Sequence, residues 1–188
     1  IKLALDCGIE YFEFPHLFTQ WGSEHAPKII VTENGRSYRR FGWETNADSP
    51  EYAEFLQSLL TAVKSFINKK NLSDKCMFHI SDEPDEKHIE SYRKAVQTVL
   101  PLLKGCKTID ALSEYSFYSE GLVETPVPDN EHAEEFYRSG VSERWVYYCC
   151  GQLNRVCNRM IAMPSYRNRA LGLQLFRYQI SGFLHWGY

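Results

Sequence analysis

Apolar residues alternate along the chain between short runs, which are typical of strands, and longer stretches with helical spacing. The short runs predict strands over residues 9–14, 76–81, 107–112, 122–127, 144–150 and 183–188. The longer stretches predict helices over residues 1–7, 49–69, 85–100, 130–137 and 167–181. Because strands and helices alternate, the pattern predicts an α/β fold with parallel strands and right-handed crossovers.

An incomplete (β/α)8 TIM barrel is the architecture that this order favours. A complete barrel typically needs ~250 residues, whereas the chain has 188. We therefore expect residues 1–188 to form a single, partial barrel domain that belongs to a longer chain. An open doubly wound sheet is the alternative, although no glycine-rich nucleotide-binding motif follows a predicted strand.

Residues 16–48 interrupt the alternation with a long insertion. Within it, Asn34 and Gly35 separate two strand-like runs and predict a β-hairpin with a tight turn. A long loop after a strand is uncommon unless it serves as a lid or a binding wall. We therefore expect Trp43 of this insertion to line the substrate. The competing interpretation is that its ring only packs against its own loop.

Composition and charge exclude several classes of function. The net charge is −3 and no long basic run is present, which argues against a nucleic-acid partner. No apolar stretch reaches the roughly 18 residues that a membrane span needs. The six cysteines include no pair with the spacing of a zinc or redox motif. We therefore expect no metal, no organic cofactor and reduced thiols, which favour a cytoplasmic location.

The stretch with the clearest candidate chemistry is residues 76–84, Cys-Met-Phe-His-Ile-Ser-Asp-Glu-Pro. A buried strand here delivers Asp82 and Glu83 into the turn before a helix, where α/β enzymes place catalytic groups. In glycoside hydrolysis two carboxylates divide the work, because one acts as general acid and the other stabilises positive charge. The competing interpretation is structural: Asp82 or Asp85 caps the next helix, and Glu83 interacts favourably with its dipole.

Adjacency restricts what this pair of carboxylates can do. Neighbouring strand residues point to opposite faces, so both can face one pocket only if the chain leaves strand geometry at Asp82. Adjacent acids are also poorly placed to act as nucleophile and acid on opposite sides of one bond. They suit a mechanism in which a 2-acetamido group of the substrate is the nucleophile, with Asp82 orienting its nitrogen and Glu83 protonating the leaving oxygen.

Three segments of the sequence resemble the C-terminal catalytic region of glycoside hydrolase family 123. They are His-Ile-Ser-Asp-Glu-Pro at 79–84, Tyr-Tyr-Cys-Cys at 147–150 and Gly-Phe-Leu-His-Trp-Gly-Tyr at 182–188, and the helix at 169–180 is also similar. The resemblance covers residues 76–188 well and residues 1–75 more loosely.

This resemblance implies a TIM-barrel β-N-acetylgalactosaminidase that retains configuration through substrate assistance and an oxazolinium intermediate. Asp82 matches the stabilising aspartate of the family, and Glu83 matches its acid/base glutamate. A tyrosine is expected to bind the acetamido carbonyl, and both Tyr147 and Tyr148 are candidates. The sequence departs from the family at His185, where a tyrosine is more usual, and this histidine could alter the sugar subsite.

Further substrate-binding candidates lie at predicted strand ends. His79 could hydrogen-bond a catalytic acid, Trp186 could stack on the sugar, and Glu13 could hold a sugar hydroxyl. Their structural alternatives are a core histidine, a core tryptophan and a solvated glutamate. Other predicted strand ends also carry acids, at Asp110 and Glu124, but nothing in the sequence distinguishes these two from ordinary polar residues.

Two alternative functions remain open for this sequence. In a conventional retaining glycosidase, Glu83 would be the acid and Glu13 the nucleophile, with the two carboxyl groups ~5–5.5 Å apart. A non-catalytic barrel would bind the sugar without turnover. In each case the partner is a glycan or glycoconjugate, and the sequence does not define an oligomeric state.

Overall fold

The computed structural model describes residues 1–153 and 155–185, which form two compact units, Ile1–Asp110 and Ala111–Tyr188. The first unit contains helices α1 (Lys2–Asp6), α2 (Pro50–Lys69) and α3 (Ile89–Leu103). Its strands are β1 (Phe12–Phe14), β2 (Ile29–Glu33), β3 (Arg36–Phe41), β4 (Cys76–Phe78) and β5 (Lys107–Ala111). Short 3-10 helices at Ser73–Lys75 and Glu86–His88 precede β4 and α3.

Strands β1, β4 and β5 form the parallel sheet of the first unit, with β4 in the middle. Phe14 pairs with Phe78, and Phe78 pairs with Thr108, so the carboxyl ends of the three strands lie at one edge. All three residues of β4 are buried. This sheet confirms the prediction of parallel strands joined through helices.

Helix α2 shows how the sequence defines the packing against this sheet. The Ser49 hydroxyl accepts a hydrogen bond from the Tyr52 N–H, and Pro50 occupies the first helical position, where its missing N–H costs nothing. The residues that the helix buries are spaced four, four and seven positions apart, which places them on one face: Tyr52, Leu56, Leu60 and Ile67. Both its beginning and its end match the sequence prediction.

The insertion at 16–48 contains the predicted hairpin, formed by β2 and β3 in antiparallel pairing. Asn34 and Gly35 have φ values of 50° and 76°. Positive φ at both central residues is what a type I′ turn requires, and asparagine and glycine accept it most readily. The Asn-Gly pair therefore fixes the hairpin turn, as the sequence predicted.

The second unit contains helices α4 (Tyr115–Ser119), α5 (Ala133–Arg138) and α6 (Ser165–Arg177). Its strands are β6 (Thr125–Val127), β7 (Trp145–Tyr147) and β8 (Gly182–Leu184). Strands β7 and β8 are parallel, with Val146 opposite Phe183, and a parallel bridge joins Asp129 to Tyr147. These strands are again parallel, as the sequence predicted. Helix α4 was not predicted.

Several predicted strands are shorter in the structure. The segment predicted over 76–81 is a regular strand only to Phe78, and the segment predicted over 144–150 only to Tyr147. After Phe78 the backbone N–H groups of Ile80 and Ser81 donate to the Asp110 carboxylate and not to a neighbouring backbone. The described residues form a mixed α/β fold with mostly parallel strands, and the complete barrel stays a prediction.

Candidate active site

Polar side chains stand at the carboxyl ends of the three parallel strands of the first unit. Glu13 lies near the end of β1, His79 directly follows β4, and Asp110 lies near the end of β5. The His79 ring bridges the two acids, with Nε2 2.5 Å from Glu13 Oε1 and Nδ1 3.3 Å from Asp110 Oδ1. The parallel register therefore assembles an acid–histidine–acid cluster from residues that are far apart in sequence.

Asp110 is the most buried member of this cluster, at 0% exposure. Its carboxylate accepts the N–H of Ile80 at 2.9 Å and the N–H of Ser81 at 3.3 Å. It also accepts the Tyr92 hydroxyl from helix α3. Donors from two segments, residues 79–81 and helix α3, therefore converge on one carboxylate, which is how a buried acid avoids an unsatisfied charge.

The charges of this cluster are strongly coupled. Burial opposes the charged form of His79, but hydrogen bonds and charges from Asp110 and Glu13 outweigh it and raise the pKa of His79 to about 9. Burial raises the pKa of Asp110, while His79, the Tyr92 hydroxyl and the Ser81 N–H oppose that rise. His79 is therefore an imidazolium at neutral pH, held between two carboxyl groups.

The turn that carries Asp82 and Glu83 follows directly from His79 and is held by the start of the insertion. The N–H groups of Leu17, Phe18 and Trp21 donate to the carbonyls of three residues of the turn segment at 2.8–3.0 Å: His79, Ile80 and Asp82. On the same side, the Ser81 hydroxyl donates to the Thr19 carbonyl at 2.8 Å. These bonds fix the backbone after β4 up to the catalytic candidates.

At Glu83 the chain leaves strand geometry altogether. Its φ is 45°, in the left-handed region that residues with a Cβ rarely adopt. This conformation removes the strict alternation that would send Asp82 and Glu83 to opposite faces. Strained backbone of this kind clusters at functional sites, where the surroundings hold it in place.

Asp82 is half-buried and its protonation is perturbed. Burial, followed by the charges of Glu83 and Asp110, raises the pKa of Asp82 to about 6, and the positive charge of His79 only partly opposes this. The carboxyl group therefore changes its protonation state close to neutral pH. Groups with such pKa values are typical of sites that move protons.

Two ring side chains of the insertion, His16 and Trp43, have different surroundings. Burial and then the charge of His79 lower the pKa of His16, so this half-buried ring is neutral where His79 is charged. The Trp43 ring is 53% exposed and stacks with His25 at 6.5 Å between centroids. Trp43 thus presents an open aromatic face within the insertion.

The remaining predicted residues belong to the second unit. Tyr147 and Tyr148 are buried at the end of β7. Tyr148 meets His185 edge to face at 6.0 Å between centroids. His185 Nδ1 lies 3.2 Å from the Arg159 guanidinium, so this ring nitrogen must be the acceptor. Trp186 lies outside the described residues.

The sequence places Asp110 at a strand end without indicating a role for it, and it does not distinguish Tyr92 from the other residues of its helix. The structure brings both into the cluster beneath Asp82. A signal was present, because Asp110 stands within the run Thr-Ile-Asp-Ala-Leu, whose neighbours are buried. A carboxylate inside a strand that is buried on both faces needs partners, which periodicity alone cannot name.

Across 1–153 and 155–185, no group of three or more His, Cys, Asp and Glu side chains is arranged to hold a metal ion. None of the helices in these ranges is long and apolar enough to cross a membrane.

Comparison with known proteins relates the whole chain to one family. The sequence profile described as glycoside hydrolase 123, catalytic domain, matches residues 1–188. A solved structure of a family 123 glycoside hydrolase from Clostridium perfringens, studied for glycolipid glycan hydrolysis, superposes with a TM-score of 0.69 at 13% identity. The match covers 100% of this chain but 34% of that protein, so the chain spans about a third of its length. No curated protein sequence matches the chain.

Proposed function

Because the chain belongs to glycoside hydrolase family 123, we propose that the protein removes terminal β-linked N-acetylhexosamine, specifically N-acetylgalactosamine, from a glycan or glycoconjugate. Asp82 and Glu83 are the catalytic residues of this proposal. The glycolipid glycan hydrolysis studied in the Clostridium perfringens relative makes a glycolipid glycan a reasonable natural substrate to test.

The proposed reaction has two steps and retains the anomeric configuration. In the first, the carbonyl oxygen of the 2-acetamido group attacks the anomeric carbon and the bond to the leaving oxygen breaks. Glu83 donates its proton to that oxygen, while Asp82 accepts a hydrogen bond from the acetamido N–H. In the second, Glu83 takes a proton from water, and the water oxygen opens the oxazolinium ring.

The observation that carries this proposal is the conformation of the turn. Glu83 has a left-handed φ of 45°, directly after a segment held by hydrogen bonds from Leu17, Phe18 and Trp21. This arrangement supports the placement of two adjacent carboxyl groups on one side of the chain, which the strand alternation would forbid. Two adjacent acids acting together are what substrate assistance needs.

The conventional retaining scheme is less well supported. It requires Glu13 as the nucleophile, but Glu13 Oε1 lies 2.5 Å from Nε2 of His79, which is charged at neutral pH. An imidazolium in contact with a carboxylate stabilises its negative charge and weakens it as a nucleophile. We therefore assign Glu13 to the support of His79 or to a sugar hydroxyl.

The rest of the proposed pocket follows the family resemblance. We propose that the parallel strands belong to a (β/α)8 barrel, and that residues 1–188 act as one catalytic-type domain. Tyr147 or Tyr148 would bind the acetamido carbonyl, Trp186 would stack on the sugar, and His185 would replace a tyrosine of the subsite. The exposed face of Trp43 is suited to a more distant sugar of the glycan.

The proposal is tested with the full-length protein on paired aryl β-N-acetylgalactosaminide and β-N-acetylglucosaminide substrates. Asp82→Asn and Glu83→Gln should each lower kcat by on the order of 10²-fold or more. Glu86→Gln removes an exposed carboxylate three positions away and is the matched control, with unchanged kcat. Inhibition by the matching thiazoline, a stable analogue of the oxazolinium ion, would identify the sugar.

Each outcome of this assay assigns the protein to one class. Loss of turnover in both variants together with thiazoline inhibition supports substrate assistance. Turnover of glycosides that lack the acetamido group, with thiazoline resistance, favours a conventional glycosidase. Sugar binding by wild type and Glu83→Gln alike, with no turnover of any glycoside, would make the protein a non-catalytic binding barrel.

A further inference from the structure

Asp110 carries more hydrogen bonds than a structural role in the sheet requires. Its carboxylate is fully buried and receives the N–H groups of Ile80 and Ser81, the Tyr92 hydroxyl and the His79 ring. Burying an ion pair costs several kcal/mol of desolvation per ion, and apolar packing of the same volume is often as stable. Stability alone therefore does not explain an aspartate at this position.

The donors to Asp110 share one property. Three of the groups belong to His79, Ile80 and Ser81, the segment that leads directly into Asp82. Regular pairing of β4 ends at Phe78, so beyond it the Asp110 carboxylate takes the place of a backbone acceptor on the β5 side. The course of the chain after β4 therefore depends on this one side chain.

Hydrogen bonds from the backbone of the insertion hold the other side of residues 79–82. Together with Asp110 they fix this segment from both sides. The residue that depends on this support is Glu83, whose left-handed backbone is strained and persists only where its surroundings enforce it. Freeing one side of the segment would let Glu83 relax towards an extended conformation. In that conformation Asp82 and Glu83 would point to opposite faces.

We propose that Asp110 is a positioning residue: through His79 and the backbone N–H groups of Ile80 and Ser81, it fixes the turn that presents Asp82 and Glu83 to the substrate. This role rests on the proposed function, because it presumes that these two carboxyl groups perform the chemistry. Tyr92, which donates to the same carboxylate, orients Asp110 from helix α3.

The cluster gives this role a signature that simple core packing would not produce. The charged or titratable groups that face His79 are Glu13 from β1, His16 from the insertion, Asp110 from β5 and Asp82 on its own segment. Asp110→Asn keeps the shape of the side chain but removes its charge. Burial then acts on His79 with less opposition, and the imidazolium should lose its proton at lower pH.

The kinetic test compares wild type, Asp110→Asn and Tyr92→Phe in the full-length protein on the aryl N-acetylhexosaminide that wild type hydrolyses. A misplaced catalytic group lowers kcat, so Asp110→Asn should lose on the order of 10²-fold in kcat. KM should change by less than about threefold, because the sugar contacts remain. Tyr92→Phe keeps the charge of Asp110, so its kcat should lie between those of wild type and Asp110→Asn. A kcat for Asp110→Asn within about twofold of wild type would overturn the proposal.

A second readout separates this proposal from the proposed function. The NMR titration of the His79 ring, assigned by its loss in His79→Gln, should give a pKa of about 9 in wild type. Asp110→Asn should lower it by at least ~1 unit. The matched control is Asp129→Asn. Asp129 is also a buried aspartate near a strand end, and its carboxylate accepts hydrogen bonds from the Ser113 hydroxyl and from the N–H groups of Glu131 and His132. The control variant should lower Tm without moving the His79 titration.

The two failures are distinguishable. If wild type hydrolyses no glycoside, the proposed function is wrong, and the His79 titration still decides whether Asp110 controls the cluster. If the titration of His79 is the same in wild type and Asp110→Asn, the positioning role is wrong whatever the activity is.

Discussion

Asp82→Asn should make the protein more stable at neutral pH while it lowers kcat by on the order of 10²-fold or more. The pKa of Asp82 is raised from 3.8 to about 6 by burial and by the charges of Glu83 and Asp110. Between these two values the folded state binds more protons than the unfolded state. Stability therefore falls as pH rises through this window, and asparagine, which has no charge, avoids the loss.

The size of the effect follows from the shift. A rise of about 2 units corresponds to roughly 3 kcal/mol at 1.36 kcal/mol per unit. Asp82 is only half-buried, so solvent screening reduces this to roughly 1–2 kcal/mol. For a chain of 188 residues, a gain of that size raises Tm by about 2–6 °C.

Urea unfolding of both proteins at several pH values measures this directly. The difference between Asp82→Asn and wild type should be near zero at pH 4, increase through pH 6 and stay constant above pH 7. Asp85→Asn is the control of opposite sign, because the hydrogen bond from Lys87 lowers the pKa of Asp85, and this variant should lose stability at neutral pH. A variant Asp82→Asn that is no more stable than wild type at pH 8, or that gains most at pH 4, would refute the reasoning.

Three further predictions follow from the structure. In the proposed mechanism, the value of kcat/KM for the aryl glycoside should decline below about pH 6, as Asp82 becomes protonated and can no longer accept the acetamido N–H; a flat profile from pH 5 to 7 would contradict this. His79→Gln should cost about 3 kcal/mol of unfolding free energy at pH 6. Because the pKa of His79 is raised from 6.5 to about 9 in the folded state, that cost should shrink between these two pH values and be lost above pH 9. Urea titrations at pH 6 and 10 check both limits, and an equal loss at each would be inconsistent with a charged ring. Gly182→Ala should cost about 1–3 kcal/mol, because the new Cβ would overlap the ring of Trp145 where β8 adjoins β7. Near-wild-type Tm for this variant would mean that Trp145 repacks freely.

The parts of the fold that the sequence predicted are those with local causes. Helix α2 begins at a serine cap followed by proline and continues with one apolar face, and the hairpin turns at Asn34-Gly35. In both cases the information lies within a few neighbouring residues, so one sequence is sufficient. Parallel strand order was predictable for a related reason, because helices separated the apolar runs.

The parts that were not predicted depend on partners far away in the chain. Strand β4 ends early because the N–H of Ile80 donates to the side chain of Asp110, 30 residues further along the chain, and not to a neighbouring strand. The pairing of His79 with Glu13 required the register between β1 and β4. Helix α4 is only five residues long and offers too few positions for a periodic pattern. The secondary-structure propensities of neighbouring residues do not predict contacts between distant parts of the chain. Such contacts also define the candidate site.

The destabilising effect of the ionised Asp82 and the raised basicity of its carboxylate have the same cause. Burial beside Glu83 and Asp110 makes its ionised form expensive, which is why asparagine should stabilise the fold. The same environment makes the carboxylate more basic than an exposed aspartate. In the proposed reaction the acetamido N–H becomes more acidic as the oxazolinium forms, and an acceptor whose pKa lies near the working pH stabilises it best. The protonated His79 limits the shift, so that Asp82 remains largely ionised at pH 7. The cluster beneath the turn thus sets the basicity of Asp82 as well as its position, and the two should change together when Asp110 is altered.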